Sequence, residues 1–260
     1  MILGRVDLRT PGRPVAEGLR LAASTLTIWP VGMPRADRAT TSWAMTLAPL
    51  VGLGLGIAAA AVMAVAGLVT GGLLAAALGV GLLAVLTRGL HLDGLADLAD
   101  GLGSGKPAGQ ALEIMKRSDI GPFGVMALVF TLIAQIAAAS EAGAVALAVA
   151  CVTGRLAVTW ACTVGVPAAR PEGLGAMVAG TVRRSDAIII TVAALVVALI
   201  TGLVTGFPVA YAAGVAAGLG AAWALQAHAV RRLGGVTGDV LGALVETATA
   251  VALVVCAALI

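Results

Sequence analysis

Long apolar runs, each near the length needed to cross a lipid bilayer, limit this chain to very few folds. Of its 260 residues, 60% are hydrophobic and only 11% are charged. In soluble domains, about 25% of the residues carry charge. Crossing a bilayer as a helix takes about 20 mostly apolar residues. The pattern therefore predicts an integral membrane protein of the all-α class, built as a polytopic helix bundle.

Seven segments of the sequence are long and apolar enough to cross the bilayer. We predict a transmembrane helix over each of them: 43–70, 72–90, 121–140, 142–164, 186–205, 208–230 and 240–260. Residues 15–29 are shorter and mildly amphipathic, so we expect a short interfacial helix there, lying along the membrane surface. No linker or low-complexity tract divides the chain, and residues 1–260 are expected to form a single membrane domain.

Basic residues sort to one side of these seven spans. All of the 16 Lys and Arg residues except Arg155 lie before the first span, or at or in alternate connections. The positive-inside rule makes that side cytoplasmic. With seven spans of the cytoplasmic (inner) membrane, the N-terminus is expected inside the cell and the C-terminus on the outer side. Small residues favour close helix contacts in lipid, and the GLGLG run at 52–56 would also permit a homodimer.

Three aspartates interrupt the apolar sequence in RGLHLDGLADLADGLGSGK, residues 88–106. At about 100° per residue on a helix over 92–101, Asp97 and Asp100 lie about 40° and −20° from Asp93. Carboxylates this crowded repel one another unless a cation lies among them, and oxygen ligands suit Mg²⁺ or Mn²⁺. Because the three span about 10 Å of helix, two ions, or one ion and a base, fit better than a single ion. The alternative is a solvated acidic helix end.

Other polar residues stand in unusual places. Arg155 lies within a predicted span, where a charge costs at least about 2.5–3.5 kcal/mol; it either binds an anion or has a structural role, near the interface or beside Glu246. Asp239 either caps the last span or completes the acidic site from across the bundle. His91 is either a general base beside the acids or a local hydrogen-bonding group.

Several motifs together resemble one known family. They are GLHLDGLADLADG (89–101), LEIMKRSDIGPFG (112–124), TGRLAV (153–158), EGLG (172–175) and GGVTGDVLGALVE (234–246). In this order, and over nearly the whole chain, they are similar to cobalamin synthase, the adenosylcobinamide-GDP ribazoletransferase family. The second motif departs from the family pattern, in which an acid directly follows the basic residue. Here the order is Lys116-Arg117-Ser118-Asp119, and the acid comes two positions later.

The resemblance implies a phosphotransferase reaction at the cytoplasmic membrane face, on the segment 91–120. Adenosylcobinamide-GDP is the implied donor and α-ribazole, or its 5′-phosphate, the acceptor. GMP is released, and adenosylcobalamin or its phosphate forms. Mg²⁺ is the implied cofactor and the lipid bilayer the surroundings, while no nucleic-acid partner is expected.

The candidate residues form three groups. Asp93, Asp97 and Asp100, together with Asp239, are expected to hold metal. His91 or one of the aspartates is expected to take the hydroxyl proton of the acceptor. Candidates for binding substrate or phosphate are Ser104, Lys106, Lys116, Arg117, Ser118, Arg155, Thr237 and Asp239.

Two alternative functions remain open at this point. A CDP-alcohol phosphotransferase of lipid synthesis would carry D-x-x-D-G-x-x-A-R, which DLADGLGSG (97–105) begins, but Ser104-Gly105 replaces Ala-Arg. A cation transporter would place its acids near the bilayer midplane within broken helices. The acids of this chain instead lie between two predicted spans.

Overall fold

A computed structural model describes residues 13–32 and 36–260, and helices are the dominant element in those ranges. In chain order these are α1 Arg13–Leu26, α2 Arg38–Thr46, α3 Ala48–Ala66, α4 Gly72–Leu86, α5 Leu90–Gly103, α6 Ala108–Ile114, α7 Pro122–Ala161, α8 Gly173–Val178, α9 Arg184–Thr205, α10 Ala210–Leu233 and α11 Gly238–Leu259. The described part of the chain forms no β-strand, which confirms the all-α class. Three of the basic residues before the first predicted span, Arg5, Arg9 and Arg35, lie outside the described residues.

Five of these helices are long and apolar enough to cross a membrane, namely α3, α7, α9, α10 and α11. The pair α4 and α5 adds a sixth candidate if the two are counted as one bent span. The predicted count of seven is therefore not confirmed. The difference arises in α7, one helix of 40 residues that covers both the third and the fourth predicted spans.

Helix α7 turns back on itself near its middle. Its backbone leaves the helical region at Gly143, with φ 83° and ψ 175°. Gln135 Nε2 donates a hydrogen bond to the Glu246 carboxylate at 2.7 Å, and Arg155 lines the same cavity as both, with a volume of only about 20 Å³. A straight helix would separate Gln135 from Arg155 by about 30 Å. Gly143 therefore joins two legs that run in opposite directions.

A sharp bend between α4 and α5 turns the acidic segment away from the direction of the predicted second span. Arg88 (φ 55°) and Gly89 (φ 67°) both have left-handed backbone, which is uncommon for a residue with a side chain. The axes of α4 and α5 differ by 87°. Where α4 crosses the membrane, α5 therefore does not continue in the direction of the crossing.

Helix α11 is central to the bundle and packs against α5, α7 and α10. Glycines allow these helices to approach closely. A Cβ atom at Gly154 of α7 would lie 2.9 Å from the carbonyl oxygen of Val245 in α11. Gly56, of the 52–56 run, allows the same close approach between α3 and α7, since a Cβ there would lie 2.8 Å from Ala148 Cα.

Helix α1 covers most of the predicted interfacial segment 15–29. Its apolar residues Leu21, Ala22 and Leu26 are buried in the main hydrophobic cluster of the bundle. The amphipathic pattern has therefore placed a helix correctly, and its position along the membrane surface stays a prediction.

We predict that Gly143→Ala destabilises the protein, because backbone with φ 83° and ψ near 180° is accessible essentially to glycine alone. The expected loss is about 1–3 kcal/mol of unfolding free energy, measured as a lower Tm of the detergent-purified protein. The control is Gly54→Ala in α3, which should keep or raise the Tm because Gly54 is helical. At both positions no atom lies within 4 Å of the added Cβ. Equal Tm values for the two variants would contradict the backbone argument.

Candidate active site

The acidic run forms a helix, α5, as predicted for 92–101. Its three aspartates nevertheless differ in environment. Asp93 is exposed, Asp97 is half-buried, and Asp100 is buried with 8% of its surface exposed. Because the three carboxylates lie in different surroundings, they are suited to different roles.

Asp100 is held by backbone amides at the beginning of α7. Gly121 N donates to its Oδ2 at 2.7 Å, and Gly124 N donates to its Oδ1 at 2.9 Å. The first amides of a helix lack partners within the helix and favour a negative charge. Asp100 thus attaches α5 to the N-terminus of α7. One hydrogen bond on each oxygen leaves further lone pairs on the carboxylate, so the role of Asp100 as a metal ligand stays a prediction.

Two cavities meet at Asp93. The narrow cavity, of about 310 Å³, lies between α5, the segment leading into α8 and the beginning of α11. The wide cavity, of about 920 Å³, lies between the α4–α5 bend and the loop that joins α6 to α7. Thr25, Leu90 and Asp93 line both cavities. Asp93 is the charged residue of these three, so its carboxylate can reach groups bound on either side.

The first turn of α11 forms one wall of the narrow cavity. Thr237 Oγ1 accepts a hydrogen bond from Val240 N at 3.2 Å and donates one to Asp239 Oδ2 at 3.2 Å. Thr237 is therefore the N-cap of α11, and the alternative role of Asp239 as the cap is wrong. Asp239 instead lines the narrow cavity together with Asp93. Both predicted residues of this motif, Thr237 and Asp239, thus reach the site.

Arg170 supplies positive charge to the narrow cavity, and the sequence analysis missed it. Its Nη2 donates to the carbonyl oxygen of Leu112, while its Nε is buried without a hydrogen-bond partner in the described chain. Its guanidinium acts electrostatically on both Asp97 and Asp239. The signal available in the sequence was its position just before the EGLG motif at 172–175.

The second motif lines the wide cavity. Lys116, Arg117, Ser118 and Asp119 face Asp97 across this space, with Arg88 of the bend also in the wall. The structure therefore brings three predicted substrate-binding residues beside the acidic helix. Asp119, the acid displaced relative to the family pattern, lines the same cavity.

Negative charge accumulates around Asp97. Burial, and then the neighbouring carboxylates of Asp93, Asp239 and Asp100, raise the pKa of Asp97 to about 7, although the Arg170 guanidinium acts in the opposite direction. A raised pKa shows that the neighbouring negative charges repel a further one. A cation at the same place would relieve this repulsion and is therefore favoured.

His91 and Arg155 meet inside the bundle. Each is 3% exposed, and Arg155 Nη2 lies 3.4 Å from His91 Nδ1. A guanidinium only donates hydrogen bonds, so Nδ1 is the acceptor and the proton of the neutral ring lies on Nε2. Arg155 shares the small cavity of about 20 Å³ with Glu246 and lines neither cavity at Asp93. Its position matches the structural alternative rather than the predicted phosphate contact.

Ser104 and Lys106 lie beyond the two cavities. Ser104 Oγ donates to the Gly101 carbonyl at 2.7 Å and accepts from Lys106 N at 3.2 Å. The carbonyl of the exposed Lys106 accepts a hydrogen bond from Arg232 at 3.3 Å. Both residues shape the loop after α5, and their part in phosphate binding stays a prediction.

The carboxylates near Asp93 fit a divalent cation that a substrate helps to hold. Among residues 13–32 and 36–260, no three Asp, Glu, His or Cys side chains form a preassembled metal site. Mg²⁺ is usually bound by one or two carboxylates together with substrate phosphates and water. Asp93 and Asp97, one turn apart on α5, and Asp239 on α11 provide hard oxygen ligands of this kind.

The sequence matches a known family over nearly its whole length. The cobalamin-5-phosphate synthase family matches residues 18–257. The chain belongs to this family. It is 44% identical to the adenosylcobinamide-GDP ribazoletransferase of Frankia casuarinae, over 92% of this chain and 93% of the relative. Relatives of the same name from Nocardioides sp. (40% identical, 93% of this chain, 99% of the relative) and Bradyrhizobium diazoefficiens (39%, 95% and 95%) also match. No solved structure matches the chain.

Membership of this family makes the protein a transferase enzyme of cobalamin synthesis. It confirms the resemblance that the motifs indicated. The family match also covers the altered second motif at 116–119, so the displaced acid occurs within a member of the family.

We predict that Asp100→Ala lowers the unfolding free energy by about 1–3 kcal/mol, because the amides that bind its carboxylate lose a charged acceptor. The matched variant is Asp93→Ala on the same helix, whose exposed side chain should change stability by less than about 0.5 kcal/mol. Thermal unfolding of both proteins in the same detergent measures the difference. Wild-type stability in Asp100→Ala, or an equal loss in Asp93→Ala, would refute the assigned structural role.

Proposed function

We propose that the enzyme transfers the adenosylcobinamide-phosphate group from adenosylcobinamide-GDP to α-ribazole or its 5′-phosphate. The relatives are adenosylcobinamide-GDP ribazoletransferases, and this name supports the donor and the acceptor. A ribose hydroxyl oxygen of the acceptor bonds to the phosphorus next to cobinamide, and the bond from that phosphorus to GMP breaks. The hydroxyl proton passes to a base, and GMP leaves. The product is adenosylcobalamin or its 5′-phosphate.

The junction of the two cavities at Asp93 is the observation that carries this proposal. A transfer between two substrates needs both reacting groups at one place in a fixed orientation. The wide cavity, of about 920 Å³, has room for the GDP end of the donor, and the narrow cavity, of about 310 Å³, has room for the acceptor. Asp93 lies where the two cavities meet, and the phosphoryl group would pass from the donor to the acceptor at this point.

Basic residues on both sides support a substrate rich in phosphate. Lys116, Arg117 and Arg88 line the wide cavity and would hold the diphosphate of the donor. Arg170 in the narrow cavity has a buried Nε with no hydrogen-bond partner among the described residues, so it would bind the phosphoryl group or the 5′-phosphate of the acceptor. Charge-assisted hydrogen bonds of this kind are the strong ones.

Mg²⁺ is the proposed cofactor, and when bound it would neutralise the charge that develops on the transferred phosphoryl group and on GMP. Asp93, Asp97 and Asp239 would hold it. We assign the base to one of these aspartates rather than to His91. In the ring form set by Arg155, Nδ1 already accepts a hydrogen bond and Nε2 carries the proton, so His91 has no free acceptor.

The proposed site faces the cytoplasm from the inner membrane. Lys116, Arg117, Arg170 and Arg88 all lie around the acidic helix, and short loops rich in Lys and Arg remain on the cytoplasmic side. A diphosphate does not cross lipid unaided, so a nucleotide-linked donor made in the cytoplasm would reach the site from that side.

The test uses membranes that contain the full chain, supplied with adenosylcobinamide-GDP, α-ribazole and Mg²⁺. We expect stoichiometric release of GMP and formation of adenosylcobalamin, measured by liquid chromatography and mass spectrometry. Asp93→Asn should lower turnover by about 10²-fold or more, without loss of protein from the membrane. Glu141→Gln, at an exposed acid beside the break in α7, is the control and should keep full turnover.

Three results would contradict the proposal. They are full turnover in Asp93→Asn, full turnover after removal of divalent cations with EDTA, and GMP release that leaves α-ribazole unconsumed. Release of CMP from a CDP-alcohol donor, in place of GMP, would favour the lipid-synthesis alternative.

A further inference from the structure

A crevice separate from the two cavities at Asp93 runs between α9 and the pair α7 and α10. Its volume is about 640 Å³, within the range of roughly 300–1,000 Å³ that holds small organic ligands. None of its described lining residues also lines the narrow or the wide cavity. The crevice is therefore a place in the fold separate from the two cavities at Asp93.

The crevice exists because α9 packs loosely against its neighbours. Of the 22 residues of α9, the buried ones are Ala187, Ala198 and Gly202. Trp160 Nε1 of α7 donates a hydrogen bond to Thr191 Oγ1 of α9 at 2.8 Å, which connects the two helices at the deep end.

The polarity of the crevice changes along its length. Arg184, Thr163 and Gln226 lie at the end formed by the beginning of α9 and the last part of α10. Further in, the walls are Ile188, Leu219 and Trp223, the last of which is 72% exposed. From Arg184 to Thr191 the groove runs about 10 Å along α9. One end is thus cationic and polar, and the remainder is apolar.

Within residues 13–32 and 36–260, no carboxylate neutralises the positive charge at this end of the crevice. Arg183 is paired with Asp186 at 3.0 Å, but Arg184 forms no salt bridge with any described carboxylate. Arg231 and Arg232 in the last turn of α10 are also exposed, but neither of them lines the crevice. In lipid, juxtamembrane basic residues attract anionic head groups, whereas a zwitterionic head group has no net charge to offer them.

We propose that this crevice binds one acidic phospholipid. Its phosphate and head group contact Arg184 and Gln226, and an acyl chain lies along Ile188 and Trp223. The lipid fills the gap between α9 and the rest of the bundle. Its negative charge pairs with Arg184, which has no carboxylate partner among the described residues. This binding site is independent of the reaction at Asp93.

The experiment measures lipid retained by the detergent-purified full chain in native mass spectrometry, after exposure to equimolar phosphatidylglycerol and phosphatidylcholine of the same acyl composition. We expect several-fold more retained phosphatidylglycerol in the wild type. Arg184→Gln should lower it to the level of phosphatidylcholine. Arg231→Gln removes the same charge outside the crevice and should leave the preference unchanged.

A second pair of variants changes the space in the crevice and leaves its charge unchanged. Gly220 lines the crevice, and no atom lies within 4 Å of a Cβ placed there, so Gly220→Leu fills the space and should also abolish the preference. Gly81→Leu, at an equally open glycine of α4, should retain it. Equal retention of the two lipids by the wild type, equal losses in Arg184→Gln and Arg231→Gln, or an unchanged preference in Gly220→Leu would overturn the proposal.

Discussion

Close contact between α5 and α11 is the interaction on which the site depends. A Cβ atom at Gly94 would lie 2.8 Å from the carbonyl oxygen of Asp239, and one at Gly242 would lie 3.1 Å from His91 Cα. Backbone therefore packs on backbone, which is possible only because both positions lack side chains. This contact brings Asp239 to the same cavity as Asp93, although the two are far apart in the sequence.

The acids of α5 have different surroundings along one face of the helix. Its C-terminal acid, Asp100, binds the first amides of α7 and so fixes the direction in which α5 leaves the bend after α4. The two preceding acids, Asp93 and Asp97, then line the cavities. Because a buried carboxylate is stable only when it is hydrogen-bonded, these helix amides are what allows a third acid so close to the other two.

Much of this arrangement follows from the sequence, and the exceptions have physical causes. Helical periodicity placed the acids of α5 on one face, and the motifs led to most residues of both cavities. Periodicity cannot show what a side chain meets across the fold, so the amides facing Asp100 and the site position of Arg170 were missed. Hydropathy found the apolar runs on both sides of Gly143. The number of spans was not confirmed, because that count depends on how the backbone turns at one residue.

Binding of Mn²⁺, followed by electron paramagnetic resonance, tests most directly whether the α5–α11 contact builds a cation site. The measurement uses the purified full chain at neutral pH, with GMP present in every sample. Gly94→Ala keeps Asp93, Asp97 and Asp239 but forces the helices apart, and we predict that it weakens Mn²⁺ binding by about 10-fold or more. Gly81→Ala, at an open position of α4, should bind Mn²⁺ like the wild type. Wild-type affinity in Gly94→Ala would contradict the account.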